Sequence, residues 1–247
     1  MVRKVIAINS SKRKKNTYNL ILNLKESLSK HDISVEIVNL FEYDIKPCLG
    51  CEHCLIHGGC VIHDDAQLLM DKLKSCDGII LSTPVYLNNL SGTLKTFVDR
   101  TCSWFHRPEL QGKPILLLAS TAASGLKNTL SYLENISIQW GAFPTNKIGR
   151  KVTTLKDPIL YKEYSSFLKH LTIPKKDYKP KLNQLITFQV QRVMAQKLFP
   201  IDNTYWAEKG WLDKSYFYDC KVILTKKTVS KLFHKMLYSK IKNVNEE

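Results

Sequence analysis

Five short apolar runs, separated by segments of helical periodicity, limit this chain to one fold class. Residues 4–9 (KVIAIN), 33–40 (ISVEIVNL), 78–82 (GIILS), 114–120 (PILLLAS) and 142–149 read as strands. Most are continuous apolar runs, the mark of strands covered on both faces. Residues 17–30, 64–75, 90–104 and 125–139 carry apolar side chains at helical spacing. The helix at 64–75 opens on Asp64 and Asp65, an acidic first turn. Strands alternating with helices build βαβ units, so the pattern predicts an α/β fold with a doubly wound five-stranded parallel sheet. Such sheets take ligands beyond the carboxyl ends of their strands, near the reversal of strand order. Attention therefore falls on the loops after the first, third and fourth strands.

At 247 residues the chain has room for one domain and an appendage. Residues 1–150 form the sheet domain, and 151–247 read as a helical extension packed on it. Residues 174–180 (PKKDYKP) form a connector. Residues 182–198 form an amphipathic helix with Leu182, Leu185, Ile186, Val190, Val193 and Met194 on its apolar face. Residues 202–211 are dense in aromatics, with Asp202 or Asn203 as helix cap. Residues 228–242 form a second amphipathic helix with a capping start. The net charge of +15 is uneven: 18 basic against 13 acidic residues up to 150, then 19 against 9. The lysines of the extension are dispersed, as on solvated helix faces. A basic nucleic-acid or partner-binding module is a remaining alternative, carried by this charge and by Tyr205, Trp206 and Trp211. The more ordinary role of these aromatics is to seal a helix–core interface. The stretch 202–218 is further expected to contribute to a substrate pocket or a subunit interface. No run approaches the ~18 apolar residues of a membrane span. The start Met1-Val-Arg-Lys reads as no secretory leader. A cytoplasmic protein without membrane attachment is expected.

The seven cysteines carry the strongest chemical signal. Four fall within thirteen residues, as Cys48-x2-Cys51-x2-Cys54-x5-Cys60. An odd count with no export signal argues against a disulfide framework. Four thiolates on one loop can wrap a cubane cluster, each iron taking one sulfur. Gly50, Gly58 and Gly59 supply the backbone freedom for wrapping, and Lys46 and His53 are placed to favour thiolate. Zinc is a rival, with His53, His57 and His63 as further ligands. A loop that packs without metal is another. Zinc sites usually pair separated knuckles, whereas three of these cysteines crowd at i, i+3 and i+6.

The loop after the first strand reads Asn9-Ser-Ser-Lys-Arg-Lys-Lys-Asn-Thr17, and no glycine precedes Gly50. That excludes a dinucleotide-binding glycine turn. Hydroxyls of Ser10, Ser11 and Thr17, the Asn16 amide, Arg13 and the N–H groups of a helix start suit one phosphate monoester. A solvated basic loop capped by Asn16 or Thr17 would look the same. After the third strand, Pro84 stiffens a turn, Val85, Tyr86 and Leu87 offer an apolar wall, and Asn88 and Asn89 can pair with a polar ring edge. After the fourth, Ser120-Thr-Ala-Ala-Ser-Gly125 lets a flat ligand lie against backbone. The three loops together describe a mononucleotide cofactor.

These loops, with Lys95-Thr-Phe-Val-Asp-Arg100, resemble the flavodoxin-like NAD(P)H-dependent FMN reductases over roughly residues 1–150. Ser10-Ser11-Lys12 stands where that family usually has Gly-Ser-Pro. The resemblance implies FMN, with its phosphate near Ser11, Arg13, Asn16 and Thr17. Its ring would lie among Pro84, Val85, Tyr86, Leu87 and Asn88 on one side and Thr121, Ser124 and Gly125 on the other. The loop 44–63 resembles the compact motif of the iron–sulfur flavoproteins, a branch of the same family. It implies a [4Fe-4S] cluster on Cys48, Cys51, Cys54 and Cys60 beside FMN, in a homodimer or homotetramer. The expected function is an FMN-dependent oxidoreductase passing electrons between ferredoxin or NAD(P)H and a small-molecule acceptor. No dedicated acid–base residue is expected, and Cys102 and Trp104 are expected to serve helix packing. The alternative is an NAD(P)H-dependent reductase of flavin, quinones or nitro compounds without a cluster.

Overall fold

The computed structural model describes residues 2–242. Its strands are β1 (Arg3–Asn9), β2 (Ile33–Asn39), β3 (Gly78–Pro84), β4 (Pro114–Thr121) and β5 (Phe143–Lys151). They pair in the order β2-β1-β3-β4-β5 and are parallel throughout. The doubly wound α/β sheet expected from the sequence is present. β3 and β4 are buried along their whole length, which is why they stand out as unbroken apolar runs. Strand order reverses between β1 and β3, so the crevice for a ligand opens at their carboxyl ends.

The helices are α1 (Asn16–Ser29), α2 (His53–Ile56), α3 (Ala66–Ser75), α4 (Gly92–Arg100), α5 (Cys102–His106), α6 (Leu126–Gln139), α7 (Ser165–Thr172), α8 (Leu182–Lys197), α9 (Pro200–Glu208) and α10 (Leu224–Lys240). On one face of the sheet Ile6, Ile8, Leu81 and Leu117 pack with Leu69, Leu73, Leu94, Phe97 and Leu133 of α3, α4 and α6. On the other, Val5, Ala7, Ile80 and Leu116 pack with Leu20 and Leu24 of α1 and Phe167 and Leu171 of α7. Each fully buried aliphatic or aromatic side chain contributes roughly 1.5–3 kcal/mol.

The chain beyond residue 150 therefore divides in two. α7 completes a face of the sheet, while α8, α9 and the following stretch build a third cluster from Leu185, Phe188, Trp206, Trp211, Tyr216 and Phe217. Phe188 meets Phe217 edge-on at 4.8 Å, and Trp211 meets Phe217 at 4.9 Å. Trp206, Trp211, Tyr216 and Phe217 are buried. They form the core that α8, α9 and the stretch after α9 share.

Several local expectations are corrected. The helix read over 90–104 breaks at Thr101 into α4 and α5. The Thr101 hydroxyl donates to the Val98 carbonyl at 2.7 Å and accepts from the Trp140 indole at 2.8 Å, so a side chain competes with the helical ladder. α8 is not simply amphipathic: it buries Gln184, Gln189 and Gln191 beside Leu185, Phe188 and Val193, while Leu182 is exposed. Gln191 Nε2 satisfies the carbonyls of Phe105 and Gln139, each at 2.8 Å. α9 is capped by Phe199, with Pro200 first in the helix, so neither Asp202 nor Asn203 is a cap. α10 begins four residues earlier than read, after Ile223, with no side-chain cap. The 174–180 connector holds one short 3-10 turn and is pinned by buried Tyr178, whose hydroxyl donates to the His170 carbonyl. Among the described residues no helix is long and apolar enough to cross a membrane.

Thr101→Val should leave the indole N–H of fully buried Trp140 unpaired at nearly constant volume, costing about 1–3 kcal/mol. Urea unfolding measures this, with Thr101→Ser retaining most of the stability. A Thr101→Val protein as stable as the parent would show that the hydrogen bond does not hold the break.

Candidate functional site

Buried hydroxyls stitch the loops at the carboxyl end of the sheet. Ser10 Oγ donates to the Ser82 carbonyl at 3.0 Å, Ser82 Oγ to the Ile8 carbonyl at 2.6 Å, and Thr17 Oγ1 shares a hydrogen bond with Ser120 Oγ at 2.7 Å. The hydroxyls of Ser10 and Thr17 are thus turned inward, bracing β1 against β3 and α1 against β4. The cap of α1 is Lys15, and no side chain caps the helix. Neither Asn16 nor Thr17 takes that place, so the N–H groups of the first turn have no side-chain partner there. Arg13 and Asn16 are exposed beside them. Ser11 lies at the rim, its N–H bound to Asn9 Oδ1 at 3.1 Å.

After β3 the chain turns back in two residues. Tyr86 N–H donates to the Asn89 carbonyl at 2.8 Å, and Asn89 N–H returns to Tyr86 at 3.0 Å. Between them Leu87 (φ 46°) and Asn88 (φ 67°) are both left-handed, the requirement of a type I′ turn. Leu87 is fully solvent-exposed and Tyr86 about half exposed. Asn89 Oδ1 accepts from the Leu90 N–H at 2.8 Å. Asn89 is therefore a turn residue, closing the hairpin through its backbone and its Oδ1. The loop after β4 closes on this hairpin at Gly125, whose φ is +88°. A Cβ there would lie 2.7 Å from Val85 Cγ1 and 2.9 Å from Asn88 Oδ1, so only glycine lets the two loops touch. Val85 N–H donates to the Ser120 carbonyl at 2.8 Å, and Thr121 Oγ1 to the Ser124 carbonyl at 2.5 Å. Pro84, Val85, Asn88, Thr121, Ser124 and Gly125 are thus brought together.

The cysteine loop leaves the carboxyl end of β2 and is closed at its base. Asp65 N–H donates to the Asp44 carbonyl at 3.0 Å, and Asp44 N–H to Asp65 Oδ2 at 2.7 Å. Two arginines then hold it. Arg100 Nη1 donates to Asp64 and to the Lys46 carbonyl at 3.0 Å, and Nη2 to the Ile62 carbonyl at 3.2 Å and to Cys60 Sγ at 3.4 Å. Arg107 donates to the Cys54 carbonyl and to Asp202 Oδ1, while His106 Nδ1 lies 2.9 Å from Asp202 Oδ2. The side chains of Asp64 and Asp202 are wholly buried. Burial pushes the Asp64 carboxyl up, but the Arg100 guanidinium and the N–H groups of Lys46 and Ala66 outweigh it and hold it below the usual value. Asp64 is therefore a buried counter-ion rather than an exposed charge of the first turn of α3.

Cys48, Cys51 and Cys60 are exposed and Cys54 is half-buried. Gly50 and Gly58 take positive φ within the loop. The Cys54 thiol is lowered to about 6, by hydrogen bonding from Cys102 and by Arg107, against burial; the same contact raises Cys102. Thiolate is thus favoured by Cys102 and Arg107. The expected helpers are otherwise engaged: Lys46 faces Asp44 at 4.0 Å, and His53 Nδ1 sits 3.1 Å from the Gly59 carbonyl. Cys102 lies at the loop as well as in helix packing. The four thiols share one loop without converging: among the described residues no group of three His, Cys, Asp or Glu side chains is gathered in metal-holding geometry.

A family model described as NADPH-dependent FMN reductase matches residues 3–150. The chain belongs to that family. Its relatives include an iron–sulfur flavoprotein of Archaeoglobus fulgidus, 38% identical over 98 residues, which are 40% of this chain and 48% of that protein. An iron–sulfur flavoprotein of Clostridioides difficile is 23% identical over 222 residues, 83% of this chain and 98% of that one. The chain spans about half to two thirds of the length of the first curated relatives it matches. Among solved structures, RosB with bound 8-demethyl-8-formylriboflavin-5′-phosphate superposes with a TM-score of 0.53 at 12% identity, over 86% of this chain and 88% of that one. That likeness concerns the fold. The family is one of flavin-dependent oxidoreductases.

Arg100, Arg107, Asp64, Asp202 and Cys102 are the residues that sequence reasoning missed as parts of the loop's support. Arg100 was visible inside the Lys95–Arg100 stretch, as a charge closing an otherwise apolar helix face. The cavity of about 530 Å³ lined by Arg3, Asp77, Lys113 and Tyr178 lies at the amino ends of the strands, away from this site.

Asp64→Asn should leave Arg100 buried without its counter-ion and cost about 3–5 kcal/mol. The parent also gains a pH signature. Because Asp64 has a lower pKa folded than unfolded, the unfolded state binds more protons between the two values, and stability rises with pH there. The contribution is complete above the unfolded value of roughly 4 and is lost as pH falls through the folded one. Chemical denaturation between pH 2 and pH 7 should show a shallower acid limb in Asp64→Asn. Parallel limbs would remove Asp64 from this role.

Proposed function

We propose that this chain is an FMN-dependent oxidoreductase whose cysteine loop carries a [4Fe-4S] cluster. Electrons would pass between a donor, ferredoxin or NAD(P)H, and a small-molecule acceptor through FMN and the cluster. The observation carrying the reading is the arginine-clamped four-cysteine loop. Arg100 closes α4, the helix that starts just beyond the Tyr86–Asn89 hairpin, and Arg107 follows α5. One set of elements thus supports both candidate cofactor loops.

The residues fit a flavin mononucleotide. The uncapped N-terminus of α1, with Ser11, Arg13 and Asn16, offers donors and charge to a phosphate monoester. Thr17 contributes its backbone N–H and braces the site through Ser120. The hairpin Val85–Asn88 and the turn 121–125 meet at Gly125 and offer apolar surface and backbone to a ring edge. The donor set of the loop, four thiols in no disulfide, has the chemistry of a cubane site. Cys48, Cys51, Cys54 and Cys60 would hold it, with Arg100 and Arg107 stabilising thiolate charge and fixing the loop. When bound, FMN supplies one- and two-electron chemistry and the cluster one-electron transfer. The chain itself binds, orients and tunes; no side chain is assigned a proton to move. We assign residues 1–150 together with α7 to the FMN-binding unit, α8–α10 to a packed extension, and the working form to a homo-oligomer.

Anaerobically purified protein should show flavin bands over a broad iron–sulfur background, with about four irons and four sulfides per chain. Cys51→Ser should lose iron while retaining flavin, and Gly125→Val should lose flavin. Flavin without iron would replace this reading with a cluster-free NAD(P)H-driven reductase. Protein that binds no FMN, native or refolded, would sink both.

A further inference from the structure

α10 packs on α8 with one side and leaves the other uncovered. Ser230 is buried, and His234 and Leu237, one and two turns on, are half-buried on the same side. At about 100° per residue, Val229, Leu232 and Met236 fall within about 60° of arc on the far side. They are 47%, 62% and 45% exposed. Thr225, Thr228 and Ser239 complete that face, so no charge interrupts it. Exposed Ile223 and Leu224 extend the apolar surface at the start of the helix. An apolar stripe on the inner side of a helix is core; on the outer side it calls for a partner.

Lysines border the stripe on both sides. Lys231 and Lys235 follow one edge, Lys226 and Lys240 the other. Residues 220–245 hold seven lysines and no aspartate, glutamate or arginine. Lys221 pairs with Asp177 at 2.7 Å, but among the described residues no lysine of α10 pairs with a carboxylate. Asp213 stands alone in the groove beside Lys231 and Lys235.

These charges decide among occupants. A second copy on the same face would set one lysine-bordered stripe against another, an encounter of like charges that disfavours association. The partner surface is therefore anionic. Lysine in place of arginine narrows it further. Protein interfaces favour arginine and are depleted in lysine, because the planar guanidinium pairs with a carboxylate through two bonds at once. A compact ammonium on a long flexible stem suits a diffuse anionic surface, and its stem can cover apolar surface while the charge stays in water. An apolar stripe flanked by lysines is the composition of a helix lying along a lipid surface.

We propose that α10 docks the protein reversibly on an anionic phospholipid bilayer, with Val229, Leu232 and Met236 entering the headgroup layer and the flanking lysines meeting lipid phosphates. Among the described residues no helix is long and apolar enough to cross a membrane; α10 would lie along one. The docking surface is outside the residues matched by the family model and is independent of the flavin reading.

The experiment sediments the full-length protein, as purified, with vesicles of phosphatidylcholine and phosphatidylglycerol in equal parts, and with vesicles of phosphatidylcholine alone. The expected result is saturable binding to the anionic vesicles only, weakening as salt is raised. Leu232→Gln and Met236→Gln leave the charge unchanged, and each should weaken binding about tenfold, as withdrawing an apolar side chain from lipid does. Lys231→Gln should weaken it about fivefold. Lys25→Gln together with Lys30→Gln removes charge at exposed positions on and beside α1 and should change binding little. Unchanged circular dichroism and melting temperature certify the variants as folded. Binding that falls as far with the α1 pair and is indifferent to Leu232 would reduce the effect to net charge and overturn the proposal. Absence of binding to the anionic vesicles would overturn it too. A dimer in solution that Leu232→Gln dissociates would give the face to a second copy instead. Leu232-dependent retention on immobilised polyglutamate, without vesicle binding, would give it to an acidic polypeptide.

Discussion

The shape of the cysteine loop depends on two buried ion pairs, Arg100–Asp64 and Arg107–Asp202. Each guanidinium is nearly inaccessible and each carboxylate wholly so. Moving such charges out of water costs several kcal/mol per ion, repaid only when the partners and the remaining hydrogen bonds are well placed. Here the remaining donors are directed at the loop: Arg100 at the Lys46 and Ile62 carbonyls and the Cys60 sulfur, Arg107 at the Cys54 carbonyl. A pair of apolar residues could pack the same volume, but it could not hold carbonyls at fixed points. The contacts these pairs make thus fix a loop path, a role distinct from adding stability.

The second pair also ties the extension to the domain. Asp202 comes from α9, and the neighbouring Trp206 indole donates to the His106 carbonyl at 2.7 Å. Gln191 of α8 reaches the carbonyl of Phe105. Three side chains from α8 and α9 thus bind the short segment that carries Arg107. The extension is structurally upstream of the cysteine loop: what shifts α9 shifts Asp202, and through Arg107 it shifts the Cys54 carbonyl. α7 has the same standing toward the sheet, since Phe167 and Leu171 pack in the layer that α1 alone would leave incomplete. The family match ends at residue 150, but the packing does not.

The sheet was legible in the sequence because parallel strands buried on both faces need unbroken apolar runs, and nothing in a loop mimics that. Each strand lies within two residues of its expected bounds. The cysteine spacing was legible for the same reason, being local. What stayed hidden was set by contacts distant in sequence. Asp64 looks like a helix-start charge until Arg100, 36 residues away, is folded onto it. Asp202 looks like a cap until Arg107, 95 residues away, arrives. The break at Thr101 depends on an indole 39 residues downstream. Thr17 has the chemistry of a phosphate donor, yet its hydroxyl meets Ser120 inside the fold. Composition names the chemistry a side chain can do; only topology says which partner it meets.

The hairpin after β3 shows where the local rules themselves give way. Leu87 and Asn88 occupy the two left-handed positions of a type I′ turn, which normally hold Asn-Gly. A branched apolar residue at positive φ is a true outlier, and such conformations cost on the order of 1–3 kcal/mol. Two backbone hydrogen bonds hold the turn, and Leu87 stands clear of the protein. Its side chain therefore recovers none of the cost by packing. Strain of this kind concentrates at functional sites because the presented surface, not the local energy, is what the fold keeps. The hairpin tip projects Tyr86 and Leu87 beyond the carboxyl end of the sheet, beside Gly125 and above the start of α4. It is an apolar rim at the crevice that the strand order creates.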